Sequence, residues 1–255
     1  MPFFASLVGD DRGAADALYP DMRRTASHTN PVNPTCLYDL GVDASPSRSQ
    51  RVVAIIPIGR LEGAKSRLGG TLDAEERRDL VEAMASRTIR AALAAPGIDE
   101  VLVISPDPDV RNRAAALGAR TLRQRTNGLN AGLAEARADV MAAGAHAVAI
   151  VPIDLPLISP DTIAQLIAPL NAVADRPLII LAPDREGKGT NGLVLSPPDA
   201  IEFEFGGGSL GRHRQRATAA GARYIELAGP LGLDLDTPDD LLLAEELTSE
   251  PVDAR

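Results

Sequence analysis

Four short aliphatic runs, each followed by a segment of helical character, constrain the fold of this chain most strongly. The runs cover residues 52–56, 101–104, 147–151 and 178–182, and they are continuous and contain many β-branched residues. Parallel strands buried on both faces show this pattern, whereas a helix needs about ten or more residues with helical periodicity. The alternation predicts a single α/β domain with a mostly parallel sheet.

The first 50 residues do not share this alternation. They carry scattered Pro, Ser, Asp and Asn without hydrophobic periodicity, which predicts a poorly ordered extension over residues 1–50. The α/β domain then covers residues 51–255. The opening MPFFASLV lacks a basic region and runs into two acidic residues, so it is a poor signal peptide and we expect a cytoplasmic protein.

Composition argues against several classes of function. The formal charge of −9 disfavours a general nucleic-acid surface, because a sequence-independent hold on phosphates needs clustered Lys and Arg. No apolar run approaches the length of a membrane span, so no membrane partner is expected. The single cysteine, Cys36, excludes an internal disulfide and a cysteine-based zinc site. Local basic clusters at residues 60–67 and 212–216 suit a small anionic ligand.

A glycine-bearing basic loop follows the first predicted strand. Gly59, Gly63 and Lys65 nearly match a P-loop, but only three residues separate the glycines and Ala64 precedes the lysine. The loop falls at the carboxyl end of a buried strand, which is where open α/β sheets bind their ligands. We therefore predict an anion-binding loop of another type, with an ordinary solvated basic turn as the alternative.

Three aspartates form a further candidate motif. Asp154 comes directly after a buried strand, and Asp234 and Asp236 alternate with leucines in an extended segment, which places both carboxylates on one face. Together the three would form an all-oxygen site of the kind that suits Mg²⁺ and phosphate oxygens. The alternatives are a turn residue at Asp154 and a helix N-cap at Asp236 or Thr237.

Two later segments, 189–192 and 205–209, are rich in glycine. Glycine leaves backbone N–H groups accessible, and Ser209 can start the following helix, whose N-terminus would attract an anion. Nearby Arg212 and Arg214 would add positive charge. A flexible loop without a ligand is the alternative interpretation.

Two phosphate-type loops and three carboxylates favour nucleotidyl transfer between two phosphorylated molecules around Mg²⁺. The acceptor phosphate would attack the α-phosphorus of a nucleoside triphosphate, so no protein nucleophile is needed. One alternative is a P-loop kinase or ATPase, and another is a non-catalytic nucleotide-binding regulator. The histidines show no metal or triad spacing, which predicts surface or buried structural roles for all three: His28, His146 and His213.

Six segments carry a resemblance to a known family, in order and at the expected spacings. They are PIGRLEGAKSRL at 57–68, GLN at 128–130, VPIDLPL at 151–157, DREGKGT at 184–190, FGGGS at 205–209 and DLDTP at 234–238. In these segments the chain resembles the guanylyltransferases of coenzyme F420 biosynthesis, which share the nucleotide-diphospho-sugar-transferase-like fold. The resemblance implies a three-layer α/β domain that transfers GMP from GTP to a small phosphorylated C3 acid and releases pyrophosphate.

The resemblance also implies roles for residues at matching positions. The implied metal ligands for Mg²⁺ are Asp154, Asp234 and Asp236. The implied contacts to the phospho-acid are Thr190, Gly206 and Ser209. The implied nucleotide-binding residues are Gly63, Lys65, Arg67 and Asn130. The residues implied in catalysis are Lys65 and Asp154.

Family members differ in their acceptor, which is phosphoenolpyruvate, 3-phospho-D-glycerate or 2-phospho-L-lactate. The sequence does not choose among these three acids. A sugar-phosphate or molybdopterin nucleotidyltransferase is the nearest enzymatic alternative, because it shares the fold class and also releases pyrophosphate. The resemblance further implies that a downstream F420-pathway transferase is a partner.

Overall fold

A computed structural model of the chain describes residues 51–60 and 65–249. Its strands form one seven-stranded sheet in the order β3-β2-β1-β4-β6-β5-β7. The strands are β1 (Val52–Pro57), β2 (Glu100–Ser105), β3 (Arg120–Arg123), β4 (Ala147–Ile150), β5 (Leu178–Pro183), β6 (Thr190–Ser196) and β7 (Arg223–Glu226). Only β6 runs antiparallel to its neighbours β4 and β5, so the predicted mostly parallel sheet is confirmed.

The α-helices of the described residues lie mainly between consecutive strands. They are α1 (Ala74–Ala94), α2 (Pro108–Ala116), α3 (Leu129–Ala142), α4 (Pro160–Ile167), α5 (Pro169–Ala172), α6 (Ser209–Ala219) and α7 (Pro238–Ser249). Local sequence sets their starts. Asp73 and Glu76 form a reciprocal capping box before α1, and Ser159 caps α4 with Pro160 in its first turn.

The sheet separates two apolar layers, because successive side chains of a strand point to opposite faces. Along β1, Ala54 and Ile56 face a cluster that includes side chains of α1, α4 and α7. Val53 and Ile55 face the other cluster, which includes side chains of α3 and α6. The domain therefore has the predicted three layers, helices–sheet–helices.

The direction of β6 determines which loops meet. Strands β1 and β4 are parallel, so the segments that follow them leave the same edge of the sheet, which is the one formed by the carboxyl ends of the parallel strands. Because β6 is antiparallel to β4 and β5, its first residue, Thr190, lies at that same edge beside the end of β5. Strand β7 is parallel to β5, so the segment after it returns to this edge as well. Four chain segments that are distant in sequence therefore converge at one place.

Some predictions lie outside the described residues or differ from the structure. The predicted extension over residues 1–50 and the loop residue Gly63 fall outside the described parts of the chain. Strand β3 was not predicted, because its four residues RTLR are partly or fully exposed at the sheet edge and carry no aliphatic run. Within residues 51–60 and 65–249, no helix is long and apolar enough to cross a membrane.

Candidate active site

The ammonium group of Lys65 lies between two of the predicted acidic residues. Its Nζ donates to Asp236 Oδ1 at 2.7 Å and to Asp154 Oδ2 at 3.2 Å. Asp154 follows β4, Lys65 follows β1 and Asp236 follows β7, so sheet topology brings their segments to one edge of the sheet. The Lys65 side chain is 12% exposed, which makes this a largely buried cation held by two carboxylates.

Electrostatics favours the charged lysine. Burial opposes the ammonium form of Lys65, but the charges and hydrogen bonds of Asp154 and Asp236 more than offset burial and raise its pKa. The backbone of Lys65 is left-handed, with φ of 52°, and among the described residues it is the only non-glycine with positive φ. Such a conformation costs of order 1 kcal/mol and persists where surrounding contacts enforce it.

A backbone hydrogen bond positions the segment after β7, which carries Asp234 and Asp236. The Leu235 N–H donates to the Asp154 carbonyl oxygen at 2.9 Å, which joins this segment to the turn after β4. Leu233 and Leu235 are buried, so Asp234 and Asp236 project from the opposite face, as their alternation predicts.

The side chain of Asp234 contacts Asn191 rather than Lys65. The Asn191 amide nitrogen lies 3.5 Å from its Oδ1 and donates to the Leu231 carbonyl at 2.9 Å. Burial and the negative charge of Asp154 raise the pKa of Asp234, and the charge of Asp236 adds to this effect. Within the described segments, no group of three or more His, Cys, Asp or Glu residues is arranged to hold a metal ion. The structure thus joins Asp154 and Asp236 at Lys65 and leaves Asp234 beside Asn191.

Thr237, rather than Asp236, caps α7. Its hydroxyl accepts from the Asp240 N–H at 3.3 Å, and its own N–H donates to Asp240 Oδ2 at 2.8 Å. Asp240 Oδ2 also accepts from the Asp236 N–H at 3.1 Å, while Oδ1 accepts from Arg185 at 3.0 Å. The cap therefore fixes the backbone of Asp236 and leaves its carboxylate for Lys65. The Arg67 guanidinium lies 3.6 Å from the same carboxylate.

The turn between β5 and β6 is closed by Asp184. Its carboxylate accepts from the Lys188 N–H at 2.8 Å and from the Gly189 N–H at 2.6 Å. A Cβ at Gly189 would lie 2.5 Å from Oδ2 of this carboxylate, so a larger residue would displace the carboxylate that closes the turn. The turn leads directly into Thr190 at the start of β6.

Two predicted acceptor-binding residues contact each other. Ser209 Oγ and Thr190 Oγ1 are 3.2 Å apart, and Thr190 Oγ1 is 3.0 Å from Nδ1 of His213. All three side chains are buried. His213, for which the sequence predicts a surface or a buried structural role, is buried and belongs to this cluster.

The glycine-rich loop before α6 contacts this cluster through Phe205, whose ring packs against His213. Gly206 and Gly208 have φ of 118° and 72°, values that side chains disfavour, and Gly208 occupies the N-cap position. Asn130, at the start of α3, holds the loop through a pair of hydrogen bonds. Its Nδ2 donates to the Phe205 carbonyl at 3.1 Å, and its Oδ1 accepts from the Phe205 N–H at 2.9 Å. Nucleotide binding by Asn130 stays a prediction, whereas its hold on the loop is direct.

The two arginines predicted to add charge are both paired within the protein. Arg214 forms a two-pronged ion pair with Glu226 at 2.6 and 2.7 Å. Arg212 donates to the Glu204 carbonyl at 2.8 and 3.2 Å and also contacts the Gly207 carbonyl. Arg212 therefore shapes the loop, and Arg214 joins α6 to β7.

Three residues of the site were not predicted from the sequence: Asp240, Asn191 and His213. The spacing from Thr237 to Asp240 resembles a capping box, which is a signal that could have identified Asp240. No comparable local signal marks the other two, because their partners come from segments distant in sequence.

Comparisons with known proteins identify the family of this chain. A family model described as guanylyl transferase CofC like matches residues 52–247. A phosphoenolpyruvate guanylyltransferase of Rubrobacter xylanophilus is 44% identical over 195 residues, which cover 76% of this chain and 93% of that protein. A protein of the same name from Sphaerobacter thermophilus is 44% identical over 204 residues, covering 79% and 95%.

The fold has solved counterparts. The crystal structure of a protein described as a nucleotide-diphospho-sugar transferase from Desulfovibrio desulfuricans G20 matches with a TM-score of 0.59. The match has 15% identity and covers 79% of this chain and 89% of that one, so it supports the fold alone. The predicted nucleotide-diphospho-sugar-transferase-like fold is confirmed. With its family model matched from the first strand to the last helix, this nucleotidyltransferase belongs to the CofC-like guanylyltransferase family.

Proposed function

We propose that this protein transfers GMP from GTP to a phosphorylated C3 acid and releases pyrophosphate, as in coenzyme F420 biosynthesis. Phosphoenolpyruvate is the first choice of acceptor, because the relatives at 44% identity carry that name. 3-Phospho-D-glycerate and 2-phospho-L-lactate are the other candidates. The observation that carries the proposal is the meeting of Asp154, Asp236 and Lys65 at the same edge of the sheet as the Thr190–Ser209 pair.

The charge arrangement suits a reaction between two anions. Lys65 places a buried positive charge at the sheet edge, where it pairs with Asp236, and the guanidinium of Arg67 lies beside the same Asp236 carboxylate. Positive groups at this position would attract the triphosphate and stabilise charge that develops on the leaving pyrophosphate. The glycine-rich turn and loop would let a second phosphorylated molecule approach the backbone closely.

Mg²⁺ is the cation that we propose for this site. Asp154 and Asp236 already enclose a cationic group, and carboxylate oxygens are the ligands that Mg²⁺ prefers. Asp234 lies two residues before Asp236 on the segment after β7, and it would be the third ligand. When bound, the ion would neutralise negative charge on the phosphates.

The transfer itself needs no nucleophile from the protein. An oxygen of the acceptor phosphate, already ionised at neutral pH, forms the new bond to the α-phosphorus of GTP. The bond from that phosphorus to the bridging oxygen breaks, and its electron pair leaves with pyrophosphate. The protein's share is to hold the two phosphates in line and to stabilise charge. In this scheme Lys65 would bind the GTP phosphates, and Thr190, Gly206 and Ser209 would bind the acceptor.

Pyrophosphate release tests the proposal. The full-length protein with Mg²⁺ and GTP is given each of the three phospho-acids, with ATP and CTP replacing GTP in parallel. A sugar 1-phosphate is included, because a sugar-phosphate nucleotidyltransferase would use it. We expect release that requires GTP and one phospho-acid. Two results would contradict the proposal. One is release with the sugar phosphate and with none of the phospho-acids, and the other is no release with any acceptor tested.

A further inference from the structure

His213 is hydrogen-bonded through both of its ring nitrogens. The residue lies on α6, one turn after Ser209, and its side chain is fully buried. Its Nε2 is 3.1 Å from the backbone nitrogen of Glu204, and its Nδ1 is 3.0 Å from Thr190 Oγ1. The ring of Phe205 packs edge-on against it, with ring centres 5.0 Å apart. The imidazole therefore has fixed partners on both sides.

These partners determine which nitrogen carries the hydrogen. Burial and, after it, the positive charge of Arg212 lower the pKa of His213 to about 4 against the opposing charge of Glu204, so the ring is neutral at pH 7. A neutral imidazole has one N–H and one acceptor nitrogen. The Glu204 backbone N–H can only donate, so Nε2 must be the acceptor. The hydrogen is then on Nδ1, and it is donated to Thr190.

The direction of the His213–Thr190 hydrogen bond determines how the hydroxyl hydrogens of Thr190 and Ser209 are used. Thr190 Oγ1 accepts from His213, so the hydrogen of Thr190 must point elsewhere. The Thr190–Ser209 contact at 3.2 Å uses one of the two hydroxyl hydrogens, whichever residue donates. One hydroxyl hydrogen of the pair is always left over. With the hydrogen on Nε2 instead, Thr190 would donate to His213 and Ser209 to Thr190, and none would remain.

We propose that His213 is a positioning residue that makes the Thr190–Ser209 pair a hydrogen-bond donor to the anionic acceptor. This role rests on the proposed function, in which these two hydroxyls bind the phospho-acid. An anion carries only acceptor oxygens, so a pair without a free hydrogen would present lone pairs and repel it. The tautomer of one buried histidine thus decides whether the pair attracts or rejects the substrate's phosphate or carboxylate.

Two substitutions separate this role from simple packing. In His213→Asn the amide nitrogen takes the place of Nδ1 and can donate to Thr190, but nothing replaces Nε2. In His213→Gln the amide oxygen reaches the place of Nε2 and can accept from Glu204, but nothing replaces Nδ1. The first variant keeps the bond that sets the hydroxyl direction, and the second keeps the bond that holds the loop. The exposed residue His146 provides a control, His146→Asn.

The readouts are the KM values for phosphoenolpyruvate and for GTP in the full-length enzyme. We expect His213→Gln to raise the KM for phosphoenolpyruvate about 10-fold or more, with little change for GTP, because a hydrogen bond to a charged group is lost. The other variant, His213→Asn, should have a KM for phosphoenolpyruvate within about threefold of the wild-type value. The opposite order, or equal effects on both substrates, would show that His213 acts only by packing or by holding Glu204.

The tautomer can be read without any variant or substrate. A long-range ¹H–¹⁵N NMR spectrum of the wild-type protein at pH 7 distinguishes a protonated Nδ1 from a protonated Nε2. A hydrogen on Nε2 of His213 would overturn the inference outright, even if both variants fail to fold. A wild-type enzyme that turns over no phospho-acid would overturn the proposed function. An active enzyme in which His213→Gln has no effect would overturn the role of His213 alone.

Discussion

Protonation of His213 should destabilise this domain in a defined pH range. Its pKa is 6.5 in an unfolded chain and about 4 in the fold, where burial and then Arg212 lower it against the opposing charge of Glu204. Because the folded pKa is lower, protonation favours the unfolded chain. The stability that His213 contributes is complete above pH 6.5 and is lost as the pH falls towards 4. Linkage between these values gives a loss of about 2 kcal/mol between pH 8 and pH 5.

Urea unfolding at the two pH values measures this loss. His213→Asn lacks the titrating ring, so its free energy of unfolding should change by about 2 kcal/mol less than that of wild type over the same range. The comparison uses the change between pH values, so any constant destabilisation by the substitution cancels. His146→Asn, at an exposed position, should behave as wild type. Equal changes in wild type and His213→Asn would show that the buried ring does not resist protonation.

Three further predictions concern the candidate site and the domain boundary. Asp154→Asn and Asp236→Asn should each lower kcat/KM about 100-fold or more, because each removes a carboxylate from the proposed cation site. Asp239→Asn, at an exposed neighbour, should not, and equal rates in all three would refute the assignment. Gly189→Ala should lower the free energy of unfolding by about 1–3 kcal/mol in thermal or urea melts, because the added Cβ meets a carboxylate oxygen. Removing residues 1–50 should leave activity unchanged, and loss of folding would show that they belong to the domain.

Strong local patterns predicted most of the secondary structure. The aliphatic run from Val52 to Ile56 and the capping box at Asp73 each carry their signal within a few residues, so their strand and helix are where the sequence predicts. Strand β3 lacks such a signal, because an exposed edge strand needs no aliphatic run. The reversed direction of β6 was also not predicted. Its apolar residues look the same in either direction, and only pairing with distant strands sets it.

The candidate site divides in the same way. Asp154 was predicted because it follows a buried strand, and Asp234 and Asp236 because they alternate with leucines in an extended segment. Chain topology then places all three at one edge of the sheet. The bridge formed by Lys65 between two of them depends on segments 89 and 171 residues apart in sequence, which no local pattern reveals. His213 shows the same limit. A lone histidine on a helix is most often structural, and its importance is visible only when Thr190 and Glu204 are seen against its ring.

The central claim is that the α-phosphate of GTP moves to a phospho-acid while pyrophosphate leaves. Two parallel reactions test it, one with GTP labelled at the α-phosphate and one with GTP labelled at the γ-phosphate, each with Mg²⁺ and phosphoenolpyruvate. We predict that the α-label appears in a new guanosine-containing product that also contains the acid, and that the γ-label appears in pyrophosphate. Transfer of the γ-label to the acid, or its release as inorganic phosphate with GDP, would identify a kinase or a GTPase and contradict the claim.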